Sequence, residues 1–319
     1  MSTPSSSPVP SSPSDGDPRV LALRDRIEQV VQGKRHVVEL ALVAVLARGH
    51  ILLEDVPGVG KTTLAHALAG ALGGSFSRVQ FTADLLPSDV LGVAILDADR
   101  HDFRFRAGPV FANVVLADEI NRAPPRTQSA LLEAMNAGQV SVDGVSRALP
   151  DPFVVVATQN PHDHVGTFPL PDSQLDRFLL RLSMGYPDRE SERAVLRAGG
   201  YRNMALAPAL GPGELQVLLD QVDTVQVHAD VEDDLLRIVD RSRSDARFIR
   251  GASTRAAEAL YRCVKALATL HGRSYALPED LRALVAPVMA HRVVARGEGR
   301  DAAARALTEL LDELPAPGR

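Results

Sequence analysis

Over the first part of the chain, short apolar runs alternate with helical patterns; further on, helical patterns stand alone. Ile51-Leu52-Leu53, Val114 to Ala117 and Phe153 to Thr158 are runs of strand length, of the kind buried on both faces of a parallel sheet. Ser77 to Phe81 and Phe178 to Leu182 read as two more strands. Helical spacing covers Arg19 to Val31, where Gln32-Gly33 stops it, then Val37 to Ala47, Lys61 to Leu72 and Arg126 to Ala137. Asp84 to Asp89 opens a short helix. Phe103-Arg104-Phe105-Arg106 alternates like a strand and is stopped by Gly108-Pro109, so an inserted helix and hairpin separates two core strands. Val140 to Leu149 alternates around Asp143-Gly144, a hairpin signature. Strands and helices in this order predict an α/β fold with a mostly parallel, five-stranded sheet.

After Tyr186-Pro187 the pattern is helical throughout. Asp188 can cap a helix to Arg197, and Glu232 to Ser242, Ser253 to Leu270, Leu281 to Val294 and Ala302 to Leu314 follow. Gly199-Gly200 and Pro208 to Pro212 read as flexible connections. The expected organisation is a disordered Ser/Pro-rich tail over 1–18, an α/β core over 19–187 with an insert at about 84–106, and an all-α domain over 188–319.

Composition narrows the function classes. The net charge of −5 argues against a strongly basic nucleic-acid surface. Cys263 is the only cysteine, so no intrachain disulfide can form and a reducing compartment is expected. Leu260, Tyr261, Val264 and Leu267 surround it at helical spacing, which reads as a core position. The longest apolar stretch, Ala41 to Ala47, falls far short of the roughly 18 residues of a membrane helix. The N-terminus lacks the regions of a signal peptide, and a soluble cytoplasmic protein is expected.

The strongest chemical signal is Val56-Pro57-Gly58-Val59-Gly60-Lys61-Thr62-Thr63 between the first strand and a helix. Glycines lacking Cβ let backbone N–H groups close on phosphate oxygens, and the helix aims its partly positive end at the same anion. Lys61 offers a point charge for the β- and γ-phosphates of ATP, and the Thr62 hydroxyl a ligand for Mg²⁺. Asp55 stands where the general pattern has its first glycine; Asp tolerates turn geometry better than most residues but is costlier there than Gly. Val114 to Ala117 runs into Asp118-Glu119. After a phosphate loop, Asp118 suits Mg²⁺ and Glu119 suits activation of the attacking water, although an acidic pair can also cap the next helix. Asn160, ending the next strand, can fix water or the γ-phosphate, or serve as a turn residue before Pro161. Arg177 and Arg255 carry guanidinium groups suited to charge on a transferring phosphoryl group, or to salt bridges. His162-Asp163-His164 has no further ligand at usable spacing for a metal site.

Together these motifs resemble the MoxR family of AAA+ ATPases over roughly residues 25–295. The likeness is carried by Leu116-Ala117-Asp118-Glu119-Ile120-Asn121-Arg122-Ala123-Pro124-Pro125, by Ala157-Thr158-Gln159-Asn160-Pro161, and by Phe168-Pro169-Leu170-Pro171-Asp172-Ser173-Gln174-Leu175-Asp176-Arg177-Phe178. Gly251-Ala252-Ser253-Thr254-Arg255 matches a lid motif in which the family usually has proline at the position of Thr254. The resemblance implies an AAA+ P-loop core with an all-α lid. It makes Lys61 and Thr62 Walker A, Asp118 and Glu119 Walker B, Asn160 sensor 1, Arg177 an arginine finger acting on a neighbouring subunit, and Arg255 sensor 2. It further implies a hexameric ring, a chaperone-like role in remodelling, maturation or cofactor insertion, an insert facing partner or pore, and a partner carrying a von Willebrand factor A domain. Two other readings stay open. One is a nucleic-acid-associated motor, against which the lack of a basic domain argues; the other is a nucleotide-gated binding module with little turnover.

Overall fold

In the computed structural model, residues 16–97, 101–160, 166–197, 206–297 and 301–314 are described. Most of the Ser/Pro-rich tail, His162-Asp163-His164 and Gly199-Gly200 lie outside them. Helix α1 (Pro18–Glu28) begins inside the segment assigned to the tail. Pro18 suits the first helical turn, and Asp17 caps it by accepting from Arg19 N–H at 2.9 Å. Helix α2 (Arg35–Leu46) leads through His50 into β1 (Ile51–Glu54), the phosphate loop and α3 (Lys61–Leu72). Then come β2 (Phe76–Gln80), the insert formed by α4 (Pro87–Leu91), β3 (Gly92–Asp97) and β4 (Asp102–Ala107), and β5 (Val114–Asp118). Helix α5 (Pro125–Ala137), the hairpin β6 (Gln139–Val142) and β7 (Val145–Ala148), and β8 (Val154–Gln159) follow. A single turn, α6 (Asp172–Leu175), precedes β9 (Leu180–Leu182).

The five long-range strands pair wholly in parallel in the order β2-β5-β8-β1-β9. Their side chains alternate between two cores. Ile51, Leu53, Val114, Leu116, Val154 and Val156 join the core under α1, α2 and α3. Leu52, Val115, Ala117, Val155 and Ala157 face the opposite core with Leu131, Leu132 and Met135 of α5. Asp143 and Gly144 both hold positive φ between β6 and β7, as a two-residue hairpin turn requires.

Beyond the sheet, α7 (Arg189–Arg197) starts where Asp188 Oδ1 accepts from Ser191 N–H at 2.8 Å. Then come α8 (Glu214–Thr224), α9 (Ala229–Ser244), β10 (Phe248–Arg250), α10 (Thr254–Leu270), α11 (Pro278–Met289), β11 (Val294–Ala295) and α12 (Ala302–Glu313). Two expectations fail here. The helix predicted to reach Val294 ends at Met289, and the chain beyond it tightens into a turn in which Arg292 N–H donates to the Met289 carbonyl three residues back at 2.9 Å. The region is also not wholly helical, because β10 and β11 pair antiparallel. Helix α10 packs against α2, so the helical part shares a core with one face of the sheet. Cys263 is fully buried there, and burial pushes its thiol up to about 12, so it stays neutral. Among the described residues no helix is long and apolar enough to cross a membrane.

Candidate functional site

Strand order places the chemistry. Because β8 lies between β1 and β5, the phosphate loop, Asp118 and Asn160 all emerge at the carboxyl edge of neighbouring strands. Gly58, Lys61, Thr62, Asp118, Glu119 and Asn160 line one cavity of about 420 Å³. Gly58 and Gly60 hold φ of 84° and 95°, which side chains rarely adopt, so the loop's curvature depends on glycine.

Lys61 Nζ donates to the carbonyl of Asp55 at 2.7 Å. Burial draws its pKa below the ordinary lysine value, against the pull of Asp55, Asp118 and Glu119. Asp55, expected to be costlier than glycine in this turn, is not among the residues with positive φ. Its carboxylate accepts from Val56 N–H at 2.9 Å, Ser183 Oγ at 2.8 Å and Gly185 N–H at 2.6 Å. Burial alone would raise its pKa. The hydrogen bonds from Gly185, Ser183 and Val56 outweigh burial and hold it below the usual carboxylate value. A carboxylate in place of glycine therefore ties the phosphate loop to the segment leaving β9.

Thr158, fully buried on β8, orients both acids. Its hydroxyl donates to Asp118 Oδ1 at 2.7 Å and accepts from Glu119 N–H at 2.9 Å. Glu119 holds a left-handed backbone, φ 57°, which is unfavourable for a residue with Cβ and needs such an anchor. Its Oε2 accepts from Gln80 Nε2 at 3.1 Å and pairs with Arg122 Nε at 2.9 Å. Arg78 Nη2 reaches Asp118 Oδ2 at 2.6 Å. Thr158, Gln80 and Arg78 were not identified as site residues from the sequence. For Gln80 the signal is register: it pairs with Asp118 across β2 and β5.

Arg177 and Arg255 do not line this cavity. Arg177 lies between α6 and β9, and its Nη1 donates to Leu132 O at 3.3 Å. Arg255 is exposed in the first turn of α10. Ser253 caps that turn, accepting from Ala256 N–H at 3.2 Å, and so supplies order where proline is missing. A second cavity of about 430 Å³, whose lining includes Asp55 and Val56 just before the residues that line the first, lies between Val37, Val56, Leu182 and the end of α11 at Ala286, Pro287 and Ala290. The donor set at the first cavity fits Mg²⁺: the Thr62 hydroxyl and the Asp118 carboxylate are hard oxygen ligands.

With this geometry, comparison with other proteins is informative. Residues 50–180 match the ATPase family associated with various cellular activities (AAA), and residues 240–312 match the AAA lid domain. The chain is 45% identical to the uncharacterised protein YeaC of Bacillus subtilis, over 86% of this chain and 87% of that one. It is 40% identical to the chaperone MoxR1 of Mycobacterium tuberculosis, over 84% of this chain and 74% of that one. The crystal structure of a protein assigned as an ATPase from Cytophaga hutchinsonii superposes with a TM-score of 0.82 at 33% identity, covering 93% of this chain and 96% of the other.

Proposed function

The chain belongs to the MoxR family of AAA+ ATPases, and from that premise we propose that it hydrolyses Mg²⁺-ATP at the carboxyl edge of the sheet to remodel a partner protein. The observation that carries this reading is the convergence of Lys61, Thr62, Asp118, Glu119 and Asn160 on one cavity. The loop from Val56 to Thr63 would wrap the phosphates with backbone N–H groups, and Lys61 would exchange the Asp55 carbonyl for phosphate oxygen. Thr62 and Asp118 would hold Mg²⁺, which when bound neutralises phosphate charge. The base would occupy the cavity beside Val37 and α11, whose lining reaches Val56 where that of the first cavity begins at Pro57.

Glu119 is assigned as the base that takes a proton from the attacking water while Asn160 orients that water. In the present arrangement Gln80 and Arg122 hold the Glu119 carboxylate, so hydrolysis would require its release. Because Arg177 lies outside the cavity of its own chain, it is assigned to the neighbour's ATP in a homo-oligomeric, hexameric ring; Arg255 would meet nucleotide when the lid moves. The domain limits at 19–187 and 188–319, a cytoplasmic location and a partner with a von Willebrand factor A domain belong to the same proposal. The chaperone role rests on the name of the Mycobacterium relative.

The test is Glu119→Gln. It should bind ATP by calorimetry with near-unchanged affinity yet release phosphate at least about 100-fold more slowly. Turnover near that of the unaltered protein would remove Glu119 as the base.

A further inference from the structure

His291 and Arg292 follow α11 directly, and neither lines the nucleotide cavities. Both are more than nine-tenths buried. Arg292 Nε donates to Asp176 Oδ1 at 2.8 Å. Its Nη2 donates to the carbonyls of Asp176 at 3.2 Å and Phe178 at 2.8 Å, and its Nη1 to the carbonyl of Leu179 at 3.0 Å and to that of Val288 in α11. His291 Nε2 lies 2.8 Å from the Phe178 carbonyl, so that nitrogen carries the proton. The end of α11 thus grips three of the four carbonyls from Asp176 to Leu179. The residue enclosed by that grip is Arg177.

A guanidinium whose donors all end on main-chain or carboxylate oxygens cannot follow one partner and leave another. Separating α11 from the segment would strand buried donors and carbonyls together, so the two move as one body. The same helix end lines the cavity assigned to the base, through Ala286, Pro287 and Ala290. One rigid element would therefore touch the nucleotide of its own subunit at one point while it holds the carrier of Arg177 at another.

We propose that Arg292 is a positioning residue that makes α11 carry Arg177, so that nucleotide held in one subunit sets how that subunit presents Arg177 to its neighbour's triphosphate. The proposal rests on the reading of Arg177 as acting between subunits. Occupancy of one site would then control the rate at the next, without any contact between Arg292 and ATP.

The experiment mixes full-length variants and reads phosphate release per chain. Arg292→Lys keeps the charge but cannot reach all the carbonyls at once. It should bind ATP with unchanged affinity and keep its KM, while kcat falls about tenfold to a hundredfold. Mixed with Glu119→Gln, which holds ATP without splitting it and keeps an intact Arg177, it should regain activity to the extent that Arg177→Ala does in the same mixture. Rescue of Arg177→Ala without rescue of Arg292→Lys would place Arg292 in its own subunit's site and overturn the proposal, leaving the shared site standing. Failure of both would remove the shared site and the proposal with it. Undiminished turnover by Arg292→Lys would also overturn it. Should that variant unfold, Asp176→Asn, of the same shape, weakens the same grip and is read identically.

Discussion

The cavity at the strand ends and the segment carrying Arg177 are built on different principles. Lys61, Asp118 and Asn160 follow three adjacent strands whose register is fixed by parallel pairing, so their mutual positions are set by the sheet. Arg177 sits on a short connection held by Leu132 of α5 and by Arg292 after α11. A site fixed by strand register stays assembled whether or not nucleotide is present. A side chain fixed by helix packing moves when the helices move. The first arrangement suits binding, the second suits timing.

Substitution at Arg177 should break this comparison most visibly. Arg177→Ala should lower turnover by about a thousandfold, as for residues that stabilise phosphoryl-transfer charge, with ATP affinity unchanged. A loss in affinity instead would place Arg177 in the same site as Lys61. Lys61→Ala should do the reverse and weaken ATP binding by about tenfold to a hundredfold, the scale of a charge-assisted hydrogen bond, as read by calorimetry.

His50 joins the two regions and should show their common dependence on pH. Its Nδ1 accepts from Val155 N–H at 3.1 Å and its Nε2 donates to Met135 O at 3.0 Å, while its carbonyl accepts from Leu179 N–H at 2.8 Å. Burial pulls its pKa down to about 4, helped by Arg262 and opposed by the Met135 carbonyl. The folded chain therefore binds fewer protons here than the unfolded chain, and stability is lost as pH falls from 6.5 towards 4. About 2 kcal/mol of that loss should be present at pH 5, seen as a lowered denaturation midpoint. His50→Gln should flatten this part of the profile; an unchanged slope would assign the pH dependence to other groups.

The finest test lies within the strand-end cavity. Thr158→Val keeps the shape and removes the hydroxyl that bonds Asp118 and Glu119. Turnover should fall about tenfold, the scale of one or two hydrogen bonds, with little change in ATP affinity. An unaltered rate would mean that Gln80 and Arg122 suffice to place Glu119.

The same contrast explains what could be read from the sequence. The phosphate loop, Asp118-Glu119 and Asn160 are local: each follows an apolar run that declares itself a buried strand. Their assembly needed only parallel order, which the alternation of elements implied. Thr158, Gln80 and Arg78 act across neighbouring strands, and nothing local marks them until strand order is known. Asp55 looked costly because its partners Ser183 and Gly185 stand at the far end of the core sequence. The grip of Arg292 on Asp176, Phe178 and Leu179 joins regions distant in sequence, through carbonyls that have no side-chain identity. The β10–β11 pair was missed because strands of three and two residues carry no periodicity.

The claim that one chain holds the triphosphate while its neighbour completes the site is tested most directly by dilution. Phosphate release per chain should be measured beside sedimentation across a range of protein concentrations at saturating ATP. The account predicts that turnover per chain falls together with the assembled fraction and approaches the Arg177→Ala rate once the protein is monomeric. Full turnover by a monomer would contradict it.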